Sequence, residues 1–129
     1  MNSGGWVLDA SALIAAMRGE PGESVVRVRL AQARISAVNL SEVVAKPQDQ
    51  GVPDSVIDES LAELALDVTP FDEDQAITGG KLRRATREAG LSLGDRASLA
   101  LAKCLGAIAL TTDRARREVG GDVEIELIR

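Results

Sequence analysis

The stretch Trp6-Val7-Leu8-Asp9-Ala10-Ser11 constrains the fold more than any other in this chain. Three apolar residues run into one carboxylate, a small residue and a hydroxyl follow, and a helical pattern begins at once. A short apolar run bounded in this way reads as a strand buried on both faces, which belongs in a parallel sheet covered by helices. An acid ending such a run is costly without a partner. In open α/β sheets, ligands bind outside the carboxyl ends of the strands, so Asp9 lies where chemistry is expected.

The rest of the chain alternates in the same manner. Further strands are predicted over 34–38, 66–69, 107–111 and 123–128. Helices are predicted over 11–17, 23–33, from Asn39 to an end set by Pro47 and Gly51, over 53–64, over 72–89 with a weak point at Gly79-Gly80, and from Ser92 to Gly106. A short arginine-rich helix is expected to start at Thr112-Asp113. Asn39 and Glu42 have the spacing of a capping box, as do Ser92 and Asp95. With no internal repeat and no linker, residues 1–129 read as a single domain. Its class is α/β, with a mostly parallel sheet covered on both faces.

At 129 residues and 45% hydrophobic content the chain can bury a sizeable core. Its longest apolar stretch, Leu99 to Leu110, is broken by Lys103 and too short for a membrane span. No basic segment precedes the first apolar residues, so a secretory leader is not expected and the location expected is cytoplasmic. Cys104, within an Ala/Leu run, is expected to be a packed core thiol.

Absences narrow the function further. There is no histidine and no tyrosine, which removes Ser-His-Asp and Cys-His nucleophilic catalysis, His-ligated zinc and His general bases. A net charge of −5 argues against a broad polycationic surface for nucleic acid. Twelve of the 15 basic residues are nonetheless arginine, clustered at Arg83, Arg84 and Arg87 and at Arg114, Arg116 and Arg117. Trp6 and Phe71 are the only aromatics, and Trp6 reads as core. Contact with a nucleic acid would therefore rest on arginine–phosphate pairs more than on base stacking. Arg114 and Arg116, within a turn of Asp113, are the candidate phosphate contacts.

Four acids stand out by position. Asp9 and Asp113 end apolar strands, Glu42 lies in the first turn after strand 34–38, and Asp95 lies in the first turn of the helix before strand 107–111. Right-handed crossovers would bring all four to one edge of the sheet. Capping alone also accounts for an acid at 42 or 95, and Thr112 or Asp113 could be a plain N-cap. The four together are harder to explain as caps. Converging carboxylates repel unless a cation compensates them. Oxygen ligands suit Mg2+ or Mn2+, and such a site supplies a hydroxide nucleophile and stabilises in-line displacement at phosphorus. The residues thus point to phosphodiester hydrolysis assisted by Mg2+ or Mn2+.

Val7-Leu8-Asp9-Ala10-Ser11, Val38-Asn39-Leu40-Ser41-Glu42-Val43, Leu93-Gly94-Asp95 before an Ala/Leu helix, and Leu110-Thr111-Thr112-Asp113 resemble the ordered motifs of a PIN domain. More narrowly they resemble the VapC-type ribonuclease toxins of bacterial toxin–antitoxin pairs. The resemblance implies a PIN-like three-layer α/β/α sandwich and a Mg2+- or Mn2+-dependent endoribonuclease acting on RNA. It also implies a homodimer, inhibited by a cognate antitoxin, with no membrane partner. By carry-over, Asp9, Glu42, Asp95 and Asp113 are the catalytic and metal-binding quartet, with Ser11 and Thr112 as supporting hydroxyls. Two positions depart from the family pattern: Ala115 replaces a frequent aromatic, and Arg96 replaces a small residue after the third acid. Other readings are a PIN nuclease that is not a toxin and a non-catalytic PIN-like module that binds a partner. A receiver domain would need an acid where the chain has Val68-Thr69-Pro70, and a haloacid-dehalogenase-type phosphatase would need Asp-x-Asp where it has Asp9-Ala10-Ser11.

Overall fold

The structure is a computed structural model that describes residues 4–116 and 121–129. Trp6–Leu8 forms β1, the central strand of a five-stranded sheet ordered β3-β2-β1-β4-β5. The others are β2 (Ala33–Ser36), β3 (Val68–Thr69), β4 (Ile108–Thr111) and β5 (Ile125–Leu127). Every pairing is parallel. Leu8 lies level with Ile35 on one side and Leu110 on the other. Because β1 has β2 on one flank and β4 on the other, the winding reverses at β1, and the crevice at that reversal opens at the tip carrying Asp9.

Val7 and Leu8 are both buried but, as neighbours on a strand, face opposite sides of the sheet. Leu8, Ile35 and Leu110 pack with Leu13 and Ala16 of α1 (Ala10–Arg18) and Val26 of α2 (Glu23–Arg29). Val7 and Ala109 pack with Leu99, Leu101 and Ala102 of α7 (Leu93–Leu105) on the other face. Each fully buried leucine of these layers contributes about 1.5–3 kcal/mol. The α/β/α sandwich follows from this two-sided burial. Between β2 and α7 the chain forms α3 (Ala37–Asp49), α4 (Asp54–Leu64), α5 (Glu73–Lys81) and α6 (Arg83–Thr86).

Several boundaries differ from the sequence expectation, each for a local reason. The helix expected over 23–33 ends as α2 at Arg29 and continues as a 3-10 turn, Leu30–Gln32. The strand expected to reach residue 38 stops at Ser36, whose hydroxyl caps α3 by accepting from the Val38 amide. Asn39 is thus inside α3 and not its cap. α3 runs through Pro47 and stops at Asp49, between the Pro47 and Gly51 expected to end it. The expected helix 72–89 divides after the Gly79-Gly80 pair into α5 and α6. Cys104 is exposed, contrary to the packed thiol expected, because it lies in the last turn of α7 on the side away from the sheet. Of the arginine-rich helix expected after Asp113, only the opening turn falls within the described residues, where the Arg116 amide donates to the Asp113 carbonyl at 3.3 Å. Arg117 lies outside them. No described helix is long and apolar enough to cross a membrane.

Candidate active site

Asp9, at the tip of β1, is the N-cap of α1 and only 3% exposed. Its Oδ1 accepts from the Ala12 amide at 2.8 Å and from Ser11 Oγ at 2.7 Å. Its Oδ2 accepts from Thr111 Oγ1 at 2.6 Å, across the sheet from the end of β4. The parallel register, with Leu8 level with Leu110, sets Thr111 beside Asp9. Ser11 is therefore placed as expected, next to the carboxylate it orients. The hydroxyl from the Thr111-Thr112 pair that reaches Asp9 belongs to Thr111. Thr112 contributes its amide, which donates to Ser11 Oγ at 3.1 Å.

Asp95 opens α7 in the capping box expected for it. Ser92 Oγ accepts from the Asp95 amide at 3.2 Å, and Asp95 Oδ2 accepts from the Ser92 amide at 2.9 Å. Its other oxygen, Oδ1, is in close contact with Arg116 Nη2. The same guanidinium reaches Asp9 Oδ2 through Nη1 at 2.9 Å and donates to Ser98 Oγ at 2.9 Å. Arg116 is 1% exposed. Its expected role as an outward-facing phosphate contact is thereby corrected: two buried or half-buried carboxylates draw the side chain inward. Arg114 is exposed, but lines a separate depression along β5.

Glu42 reaches the site from α3. The residue is exposed as a whole, but its carboxylate folds down onto Gly94 at the start of α7, so closely that a Cβ there would overlap it. Buried Asn39, three residues earlier, donates from Nδ2 to Glu42 Oε1 at 3.0 Å and to the Gly94 carbonyl at 2.9 Å. Asn39 ties α3 to α7 and orients Glu42, the use that replaces its expected cap. Desolvation of the carboxylate raises the Glu42 pKa above the usual 4.5. The Asn39 hydrogen bond opposes the rise, Asp95 and Asp9 add to it through repulsion, and Arg116 pulls it back.

Asp113 is exposed, with its amide donating to Thr111 Oγ1 at 3.0 Å and its Oδ1 accepting from the Ala115 amide at 2.9 Å. All four acids line one cleft of about 300 Å³, together with Ser11 and Lys46. Lys46 was not anticipated, although a lysine four residues after Glu42 falls on the same helix face. Among the described residues, no three carboxylates yet close on a single point as metal ligands; Asp9 and Asp95 close on the Arg116 guanidinium. The residues fit a hard divalent cation all the same. The donors are oxygens, and a positive charge already sits between two of them.

An acidic cleft at the carboxyl edge of a wholly parallel sheet lies where open α/β folds bind their ligands. The PIN domain family model matches residues 6–122, and the chain belongs to the PIN domain family. It is 32% identical over 110 residues to Ribonuclease VapC42 of Mycobacterium tuberculosis (strain ATCC 25618 / H37Rv), covering 78% of this chain and 84% of that protein. The same figures relate it to VapC ribonuclease Mb2780c of Mycobacterium bovis. Among solved structures, the DNA-bound VapBC of Salmonella typhimurium matches with a TM-score of 0.79 and 19% identity, over 97% of this chain and 98% of that one.

Proposed function

We propose that this protein is a divalent-metal-dependent endoribonuclease, using Mg2+ or Mn2+ to hydrolyse RNA phosphodiester bonds, and that it is the toxin of a toxin–antitoxin pair. The observation that carries this reading is the cleft itself, where Asp9, Glu42, Asp95 and Asp113 gather at the strand ends of a PIN domain. The likeness to the mycobacterial VapC ribonucleases supports the substrate class. A divalent ion held by these carboxylates would supply a water of lowered pKa and offset charge on the phosphate. Asp9 and Asp95 would hold it once the Arg116 guanidinium gives up their oxygens, with Glu42 and Asp113 on the open side of the cleft. Ser11 fixes the Asp9 carboxylate, and the Thr112 amide fixes Ser11. Among the described residues, Lys46 at the cleft wall and Arg114 farther out are cations that could meet phosphates flanking the cut. A cognate antitoxin, a homodimeric state and a cytoplasmic location belong to the same proposal.

A second reading is favoured by one observation. The guanidinium seated between Asp9 and Asp95 would suit a PIN-like module that binds a partner without catalysis. A cleavage assay decides between them. Incubated with a mixed RNA pool, the protein should cut in Mg2+ or Mn2+, stop in excess EDTA, and lose activity by orders of magnitude as Asp9→Asn. Cleavage that persists in EDTA would sink the metal mechanism, and no cleavage with either ion would favour the binding module.

A further inference from the structure

Asp9 has no oxygen position left to offer. A carboxylate has about four acceptor sites, and those of Asp9 receive Ser11 Oγ, the Ala12 amide, Thr111 Oγ1 and Arg116 Nη1. Asp95 is similarly engaged, by the Ser92 amide on Oδ2 and by Arg116 Nη2 on Oδ1. Ser98 completes the seat, accepting from Arg116 Nη1 while its own hydroxyl donates to the Asp95 carbonyl at 2.9 Å. A divalent ion held by Asp9 and Asp95 would need the oxygens that the guanidinium occupies. Two cations cannot share them, because repulsion at such separations is strong away from bulk water.

We propose that Arg116 is a tethered counter-cation that the metal must displace, and so the residue that sets the metal affinity of this site. The inference rests on the metal-site reading above. The seat is incomplete in a way that favours displacement: Arg116 Nε is buried with no hydrogen-bond partner, a deficit that a guanidinium turned toward water would recover. The way in is open, since Glu42 and Asp113 line the cleft without an ion-pair partner of their own among the described residues. Without metal, Arg116 neutralises the buried Asp9 and keeps the apo fold intact. With metal, the ion takes over that task. Arg116 is a positioning residue in this scheme, acting on the carboxylates.

The test is Mn2+ binding, followed by the paramagnetic resonance of free Mn2+, with melting curves in EDTA, for wild type, Arg116→Met, Arg116→Lys and Ser98→Ala. Arg116→Met should bind Mn2+ at least about 10-fold more tightly, having no competing cation, and should melt lower in EDTA yet recover with Mn2+. Arg116→Lys should fall between it and wild type. Ser98→Ala loosens the seat without altering either charge, so it should tighten Mn2+ a few-fold while folding in EDTA, and it carries the test if Arg116→Met fails to fold. Equal Mn2+ affinity in wild type, Arg116→Met and Ser98→Ala would overturn the proposal and make Arg116 a permanent structural cation. Absence of Mn2+ binding from every protein would overturn the metal-site reading beneath it.

Discussion

The fold raises the pKa of Glu42, and the sign of the effect is testable. A carboxyl raised above its unfolded value favours the protonated form in the native state. Its stabilising contribution is fully present below the unfolded value near 4.5 and is lost as pH rises through the raised native value. Glu42→Gln keeps a neutral side chain that can still accept from Asn39. In EDTA it should melt with wild type at about pH 4 and increasingly above it by about pH 7. A difference in melting temperature that stays flat across that range would show that desolvation over Gly94 and repulsion from Asp95 and Asp9 are not acting. At this scale the sequence was most informative about acids and least about their partners. Asp9, Glu42, Asp95 and Asp113 are legible because the sequence sets each beside an apolar strand or a capping pattern, although Glu42 lies in the second turn of α3 and not the first. Thr111 was passed over for Thr112, since which hydroxyl reaches Asp9 depends on how β1 and β4 align. In sequence Arg116 resembles a solvated arginine beside a turn, and only the assembled cleft brings two carboxylates within its reach.

Among the elements, the contact of α3 with α7 does most to shape the cleft. Gly94 lets the Glu42 carboxylate lie against the first turn of α7, and Asn39 clamps the same turn through the Gly94 carbonyl. Gly94→Ala separates stability from function. Alanine gains up to about 1 kcal/mol in helix propensity, while the flexible end of Glu42 is pushed out toward water. The variant should therefore melt at or slightly above the wild-type temperature in EDTA, yet bind Mn2+ more weakly and cut RNA more slowly. Wild-type binding and cleavage would mean that the seat on Gly94 is not the working position of Glu42. The elements themselves were largely visible in advance. Short apolar runs gave the strands, and the Ser92–Asp95 capping box gave the start of α7. Where the reading slipped, two capping residues competed: Ser36 and Asn39 both suit an N-cap, and the burial of Asn39 against α7 decides in favour of Ser36. The arginines follow similar logic. Arg96, conspicuous after Asp95, reaches across to the Gly79 carbonyl at 3.2 Å and helps join α7 to α5.

For the whole molecule, the order of the sheet matters more than the order of the chain. β1 is central, yet one of its two neighbours, β4, begins at Ile108. The bond from Thr111 to Asp9 spans 102 residues. On a ribosome adding about 5–20 residues per second, Asp9 is made several seconds before Thr111, Asp113 or Arg116 exists. Until then β1 has an open flank and its carboxylate has neither the hydroxyl nor the guanidinium that neutralises it. Nascent chains stalled with Leu105 as their last emerged residue should be digested readily by a protease, whereas chains that have emerged through Arg129 should resist it. Equal resistance in both would mean that β1, β2 and the helices around them hold without β4. A cell making this protein would thus meet no half-built cutting edge early in synthesis, since Thr111, which completes the blade, follows Asp9 by 102 residues.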